Sequence, residues 1–293
     1  MILNVSGRCD IVAFFTPWFM KRLEEGFVDV RNPFYPKLVN RIYFKDVDLI
    51  VFCTKNPIPI LEEIENIKIP ILFHITITPY KKDIEENVVD KRKIIEAVKK
   101  ISQVIGKDKI YIRYDPIFLS DKYTVDYHIK AFQKLCQLLD GYTKHIIISF
   151  MDDYKNVRKN RKFIKAKEIK EEDYQKIGSS LSASAKSHGI SCQTCCEDHN
   201  LVEYGFIKKN CVDFNLAYKL TGKTNLKKWK SRACHCVSMV DIGHYNSCYH
   251  LCKYCYANYS EEKIQENVKK HDVSSSLLIG KIEEEDIIKV RTE

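Results

Sequence analysis

The chain has 293 residues, enough for one large α/β domain or two smaller ones. Its 45% hydrophobic and 30% charged residues are typical of soluble globular proteins, and this composition excludes a disordered or membrane-embedded class. No stretch resembles a signal peptide or membrane span, so we expect a cytoplasmic protein with no membrane partner. Twelve cysteines in a cytoplasmic chain indicate metal or redox chemistry rather than a disulfide scaffold.

The formal net charge of +9 is compatible with an anionic partner such as a nucleotide, a nucleic acid or a partner reductase. Nucleic acid is not the favoured partner on charge alone, because lysine-rich proteins commonly carry such a charge.

Predicted strands and helices alternate along the chain. Amphipathic patterns indicate helices, with Gly26 and Gly106 as stops and Thr124 as an N-cap. Apolar runs predict strands at 2–6, 48–53, 70–78, 109–114, 145–150, 189–194 and 237–242, and helices at 11–25, 61–67, 87–105, 124–141 and 171–188.

This alternation implies parallel βαβ units. The expected fold is therefore α/β, a full or partial TIM-type barrel with its active residues in the loops after the strands. We expect βα repeats over 1–190, a cysteine-rich segment completing the barrel over 191–259, and a tail packed on the barrel over 260–293.

Cys248, Cys252 and Cys255 follow the last predicted strand, with three and then two residues between them. They are too close in sequence for mutual disulfides, so ligation is the better interpretation. Three such thiolates can each bind one iron of a cubane 4Fe-4S cluster and leave the fourth iron open. A zinc knuckle, or a structural cluster with a fourth cysteine from elsewhere, is the alternative.

This spacing, with Tyr254 directly before the last cysteine, resembles the signature of radical S-adenosylmethionine enzymes. The resemblance implies that the open iron binds S-adenosylmethionine and that Tyr254 packs beside its adenine. Reductive cleavage would give a 5′-deoxyadenosyl radical, which would abstract hydrogen from an unknown substrate. An electron donor such as ferredoxin or flavodoxin is implied.

Enzymes of that superfamily usually carry the cysteine loop after the first strand, whereas here it follows the last. Circular permutation would explain this difference, because chain ends often lie close together. Strand 237–242 would then pair with strand 2–6.

The chain also resembles, over nearly its whole length, the family catalogued as domain of unknown function eighteen forty-eight. Cys9 and Cys196 depart from that family's pattern, where we expect Thr and Ala. The matching stretches include Arg8 with Asp10-Ile11, Asn32-Pro-Phe, Phe52 with Thr54-Lys-Asn-Pro57, Thr76 with Thr78-Pro-Tyr80, Arg113-Tyr-Asp-Pro-Ile117, Asp121-Lys-Tyr-Thr124, Ile148-Ser-Phe150, Gln193-Thr-Cys195, Cys234 with Cys236, and Val240-Asp-Ile-Gly243 through Tyr254-Cys-Tyr-Ala-Asn258.

Polar residues follow the other predicted strands. Arginine and lysine suit a carboxylate, and carboxylates suit an ammonium group or ribose hydroxyls. For Arg113 and Asp115, a structural ion pair is an equal alternative. The candidates for binding S-adenosylmethionine or substrate are Arg8, Asp10, Thr54, Lys55, Asn56, Thr78, Arg113, Asp115 and Ser149, with Thr76 and Asp152 in addition.

Four further cysteines, Cys195, Cys211, Cys234 and Cys236, precede the triplet, and four is the number that closes a second iron–sulfur cluster. A structural zinc site or buried free thiols are the alternatives, and Cys192 and Cys196 are substitute ligands. With so many thiols available, we expect His235 and His250 to be bystanders.

The basic run 155–167 is expected to form a solvated loop or lid that would hold phosphate if the substrate were a nucleotide or nucleic acid. The favoured hypothesis is thus a radical S-adenosylmethionine-type enzyme. The alternative is a non-catalytic iron–sulfur or zinc protein that binds nucleic acid.

Overall fold

A computed structural model describes residues 1–194, 196–197, 199–229 and 234–292. The strands are β1 (Ile2–Val5), β2 (Phe27–Arg31), β3 (Leu38–Tyr43), β4 (Leu49–Thr54), β5 (Ile71–Thr76), β6 (Ile110–Ile117), β7 (His145–Phe150), β8 (Ser191–Thr194), β9 (Ile207–Lys208), β10 (Met239–Asp241) and β11 (Ile287–Val290). The helices are α1 (Ile11–Phe14), α2 (Thr16–Glu25), α3 (Lys91–Ile105), α4 (Val125–Leu138), α5 (Lys155–Lys159), α6 (Arg161–Ile164), α7 (Glu171–Ser187), α8 (Phe214–Thr221) and α9 (Glu261–Val268).

The main sheet confirms the α/β class. It has eight parallel strands in the order β10-β1-β4-β5-β6-β7-β8-β9, and all seven predicted strands belong to it. The residues predicted to begin or end helices do so through contacts within their own segment. The Thr124 side chain accepts the N–H of Tyr127 at the start of α4, and Gly26 ends α2 in the left-handed conformation at φ 81°.

Both faces of the sheet are buried, which explains the nearly continuous apolar runs of its strands. Alternate residues such as Leu3, Ile50 and Phe73 belong to the large core on the helix-covered face. The residues between them, such as Val51 and Leu72, form a second core with Val212, Ala217 and Val237 from the chain around α8.

The sheet is open, so the expectation of a full barrel is wrong for the described residues. Its edges are β9 and β10, and no described residues pair these two strands. Along the chain, α8 lies between β9 and β10, and its Ala217 packs on the apolar face of the sheet. This segment covers the interior that strand closure would otherwise enclose.

The predicted pairing of the last strand with the first is confirmed. β10 runs parallel to β1, with Met239 opposite Ile2 and Asp241 opposite Asn4. The cysteine loop after β10 therefore begins beside the loop that follows β1.

A small second sheet, in the order β11-β3-β2, was not anticipated from the sequence. It joins the chain after residue 260 to the β2–β3 hairpin, where Arg31 forms a two-pronged ion pair with Asp286. The predicted helix at 61–67 is replaced by short 3-10 turns at Ile58–Ile60 and Ile64–Asn66. No helix in the described ranges is long and apolar enough to cross a membrane.

Candidate functional site

The predicted binding residues gather at one edge of the main sheet. Parallel strands end at a common edge, and ligands of open α/β folds bind outside the carboxyl ends of the strands. The cysteine loop follows β10 at that edge, and the other candidates lie at or near the carboxyl ends of β1, β4, β5, β6 and β7.

Asp10 connects three of these segments. Its buried carboxylate accepts the N–H of Ala13 at 2.9 Å, the N–H of Lys55 at 2.7 Å and the Nε2–H of His250 at 2.8 Å. It thereby caps α1, fixes the end of β4 and holds the middle of the cysteine loop. That His250 is a bystander to metal ligation stays a prediction, but its buried ring has a structural role, since it positions the loop.

A buried carboxylate that sequence reasoning missed, Glu85, lies at the centre of the site. Lys55 Nζ donates to Glu85 Oε1 at 2.7 Å, and Lys91 Nζ donates to Oε2. The hydroxyls of Thr78 and Tyr254 also donate to Oε1. One carboxylate thus joins two cations, the end of β5 and the cysteine loop.

The protonation of this cluster follows from its charges. Burial opposes the charge on Glu85, but Lys55 and Lys91 outweigh burial and hold its pKa at about 2. Burial likewise opposes the charge on Lys55, yet Glu85 raises its pKa above the ordinary value, whereas burial lowers the pKa of Lys91. Two cations and one anion leave a net charge of about +1 beside Cys252, which forms an isolated β-bridge with Glu85.

Tyr254 lies in the protein interior. Its ring centroid is 5.6 Å from that of Tyr80, and the Nζ of Lys55 lies 5.4 Å from its centroid. Its hydroxyl is engaged by Glu85. The predicted contact with the adenine of S-adenosylmethionine stays a prediction.

The three loop thiols lie close enough to influence one another. Burial raises the pKa of Cys248, Cys252 and Cys255, to about 12 for Cys252, and the pKa of Cys248 is raised further by the other two thiols. Lys55 acts in the opposite direction on Cys252 and Cys255. A ligated metal requires thiolates, so binding would release protons and compensate the buried negative charge.

The donor set fits an iron–sulfur cluster chemically, since thiolates are its ordinary ligands. Two buried polar atoms of the same loop, His250 Nδ1 and Asn258 Oδ1, have no hydrogen-bond partner within the described part of the chain. No group of three His, Cys, Asp or Glu residues in that part is placed to hold a single metal ion. The fit therefore rests on the identity of the donors.

The structure describes three of the four cysteines of the predicted second cluster. Cys195 lies outside the described residues. Cys211 and Cys236 precede two residues joined by a backbone hydrogen bond, Val237 N–H to Val212 O at 3.0 Å, so they lie in adjacent segments. Cys234 is half-buried. The second cluster stays a prediction.

Arg113 connects this region to the polar edge of the sheet. Its guanidinium forms an ion pair with Asp115 and donates to Cys211 Sγ at 3.3 Å. Burial opposes its charge, but Asp115 and Cys211 keep its pKa well above the ordinary range. The buried imidazole of His74 has its pKa lowered to about 4 by burial and by this guanidinium.

Three candidates have mainly local roles. The Thr54 hydroxyl accepts the N–H of Asn56 at 2.9 Å, and Asn56 Oδ1 accepts the N–H of Ile58 at 3.3 Å, which shapes the turn after β4. Ser149 lies in β7, one residue before the strand ends, and is half-buried.

Asp241, at the end of β10, organises the start of the cysteine loop. It accepts from Asn4 Nδ2 and Ser6 Oγ at 2.8 Å each, and from the N–H of Gly7 and Gly243 at 2.6 and 2.8 Å. Arg8 Nε lies 4.0 Å from this carboxylate. A charged residue ending an apolar strand, two positions before a glycine, was the available sequence signal.

The basic run forms two short helices, α5 and α6, instead of the expected loop. Asn156 Nδ2 donates to Tyr256 O at 2.5 Å, and Asn160 Nδ2 donates to Lys253 O at 2.6 Å. These two amides hold α5 and α6 against the cysteine loop. Polar residues inside a basic run had carried no signal of such a role.

Fold and site together define a parallel α/β protein with a cysteine loop at the carboxyl edge of an open, eight-stranded sheet. The chain belongs to the family described as Domain of unknown function (DUF1848), whose model matches residues 2–257. This confirms the family resemblance found in the sequence. No curated protein gives a significant match.

Proposed function

We propose that the protein is a radical S-adenosylmethionine-type enzyme with a 4Fe-4S cluster held by Cys248, Cys252 and Cys255. The observation that carries the proposal is the position of the three thiols, in one loop at the sheet edge where Asp10, Lys55 and the other polar candidates also gather. When bound, the cluster and S-adenosylmethionine would supply one-electron reductive cleavage and a 5′-deoxyadenosyl radical.

The chain's own residues would position and bind these groups. Asp10 holds His250 and thereby the backbone between the cysteine ligands. Glu85 fixes the ammonium group of Lys55 near Cys252, where a cation favours the thiolate. Arg113, held in place by Asp115, suits the carboxylate of S-adenosylmethionine or of a substrate.

The proposal extends to the architecture. The open sheet would be a partial TIM-type barrel, circularly permuted relative to the usual radical S-adenosylmethionine fold, and the parallel pairing of β10 with β1 supports this. A cytoplasmic location, an electron donor such as ferredoxin or flavodoxin, and a second cluster held by Cys195, Cys211, Cys234 and Cys236 belong to the same proposal.

The test is anaerobic reconstitution with iron and sulfide, followed by reduction in the presence of S-adenosylmethionine and chromatography of 5′-deoxyadenosine. We expect 5′-deoxyadenosine from the wild type and none from Cys252→Ala. The matched control is Cys136→Ala, which also removes a buried thiol but lies on α4, packed in the helix-covered core. It should retain the product.

Zinc retained after reconstitution, with no 5′-deoxyadenosine under any reducing condition, would overturn the proposal. Equal product from Cys252→Ala and the wild type would overturn the assignment of the ligands. Iron and sulfide analysis of each variant separates loss of the cluster from loss of cleavage.

A further inference from the structure

We propose that a band of exposed aromatic and cationic side chains beside the cysteine loop binds single-stranded nucleic acid. We call it the aromatic band and define it by Phe34, Tyr256, Tyr154 and Phe163. These rings are 94%, 46%, 49% and 52% exposed, although large apolar side chains normally gain free energy by burial.

The aromatic band lies along the face of the site, and its members are connected by the loops and helices around the cysteine loop. Tyr256 and Tyr154 have ring centroids 5.5 Å apart. The Tyr256 hydroxyl donates to Gly7 O at 2.5 Å, which places its ring at a cavity also lined by Phe34 and Arg8. The rings therefore extend from the β2–β3 hairpin, past the loop after β1, to the helices over the cysteine loop.

Cationic side chains lie beside the rings at both ends of the aromatic band. At the cavity, Arg8 and Arg291 line the same walls as Phe34. On α6, the Nζ of Lys162 lies 5.0 Å from the Phe163 ring centroid, and the Nζ of Lys253 lies 5.5 Å from it. Such rings offer stacking surfaces flanked by groups that attract phosphate.

The helical side of the aromatic band carries a strong positive charge. Residues 152–167 contain seven lysines and arginines and two aspartates, a net charge of +5. Asp153 pairs with Arg158 and Arg161. The lysines of α5 and α6 are Lys155, Lys159 and Lys162. They have no carboxylate partner among the described residues. They remain available to phosphates.

The combination of rings and cations favours a single strand over other anions. Every base has a face that can stack on an exposed ring, while the backbone phosphates meet the cations at intervals. A duplex hides these base faces and offers only phosphates and groove edges. An acidic protein would meet the charges but would offer no series of base faces to stack on the rings.

The inference names a substrate class for the proposed enzyme, and in that respect it rests on the proposed function. Binding itself requires neither cluster nor S-adenosylmethionine. The two ideas can therefore fail separately: 5′-deoxyadenosine formation is measured without nucleic acid, and strand binding is measured without reduction.

The experiment is fluorescence anisotropy of a labelled thymidine oligonucleotide of about 15 nucleotides, titrated with the full chain at several salt concentrations. Stacking contributes about 1–3 kcal/mol per base, so we expect the loss of two rings in Tyr154→Ala with Phe163→Ala to weaken binding by about thirtyfold or more. Lys159→Gln with Lys162→Gln should reduce the magnitude of the salt slope by about 1.4.

The matched control is Phe214→Ala with Tyr218→Ala. These two aromatic residues of α8 are similarly exposed, at 40% and 48%, but lie outside the aromatic band. We expect less than about a twofold change from this pair, since removing them takes away no stacking contact with the strand. Phe34→Ala, on a separate hairpin, tests the far end of the band independently of α5 and α6.

Three results would overturn the inference: no saturable binding of the oligonucleotide, equal loss in the control pair, or equal competition by duplex DNA or polyglutamate. Circular dichroism and thermal melting establish that each variant is folded. Since all substituted rings are exposed, their removal should leave the melting temperature nearly unchanged.

Discussion

The carboxylate of Asp10 and the imidazole of His250 are hydrogen-bonded at 2.8 Å, although 240 positions separate them in the chain. Both side chains are buried, and the same carboxylate caps α1 and accepts the N–H of Lys55. The contact connects the two ends of the sequence across the junction of β1 with β10. The geometry of the cysteine loop therefore depends on a residue that follows the first strand.

We predict that Asp10→Ala lowers the free energy of unfolding by about 3 kcal/mol or more. The substitution leaves the Lys55 N–H and His250 Nε2–H as buried donors without an acceptor and removes the cap of α1. Urea denaturation followed by circular dichroism measures the change. Asp10→Asn keeps the side-chain shape and one acceptor oxygen, so it should lose less stability.

A second readout distinguishes a local effect from general destabilisation. Because His250 loses its anchor, iron incorporation after anaerobic reconstitution should fall in Asp10→Ala at temperatures where the variant remains folded. Unchanged stability and unchanged iron content would contradict the role assigned to Asp10.

Seven of the eight strands of the main sheet could be predicted, because each of these seven carries a local signal. Apolar runs such as residues 48–53 and 145–150 are long enough to indicate buried parallel strands. β9 has two exposed residues, Ile207 and Lys208, and so has no apolar pattern to detect. β11 is also exposed, and it is a strand only because it pairs with β3.

The position of the site could be predicted, but the hydrogen bonds and ion pairs between its residues could not. Residues at strand ends were identified because parallel strands end at one edge. Glu85 escaped notice because it lies in a polar stretch with Glu86 that is typical of a surface turn, and nothing local indicates that Lys55 and Lys91 reach it. The prediction of a closed barrel was wrong for a similar reason. The segment around α8 covers the second apolar face of the sheet through contacts that are distant in sequence.

Glu85→Ala should destabilise the protein by about 3–5 kcal/mol, because it leaves Lys55 and Lys91 partly buried without their counter-charge. The matched control is Glu86→Ala. That neighbouring carboxylate is 45% exposed and pairs with Lys253, so its removal should change stability by less than about 1 kcal/mol. Equal effects of the two substitutions in chemical denaturation would refute the central role of Glu85.

Gly243→Ala should disturb the start of the cysteine loop. A Cβ at this position would overlap Ser6 Oγ and lie 2.8 Å from Ser6 Cβ, directly after β1, the strand that pairs with β10. Overpacking of this kind costs about 1–3 kcal/mol, which denaturation would measure. In a Ser6→Gly background the obstructing side chain is absent, so the same substitution should cost less. Additive effects in this double-mutant cycle would disprove the steric explanation.

The buried imidazole of His128 makes stability depend on pH. Nδ1 is 3.1 Å from the hydroxyl of Tyr114 and Nε2 is 3.0 Å from Phe118 O, while burial lowers the pKa of the ring from 6.5 to about 4. Between these pH values the unfolded chain binds a proton that the folded chain does not. The free energy of unfolding should therefore fall as the pH decreases through this window.

The contribution of His128 is about 2 kcal/mol between pH 7 and pH 5, since each unit of pH within the window changes the unfolding free energy by about 1.4 kcal/mol. Urea denaturation of the wild type and of His128→Gln across this range measures it. The variant should show a shallower dependence of the unfolding free energy on pH, whatever its absolute stability. Part of the dependence should remain, because burial also lowers the pKa of His145 to about 4. Parallel pH profiles for the two proteins would show that His128 is protonated alike in the folded and unfolded chain.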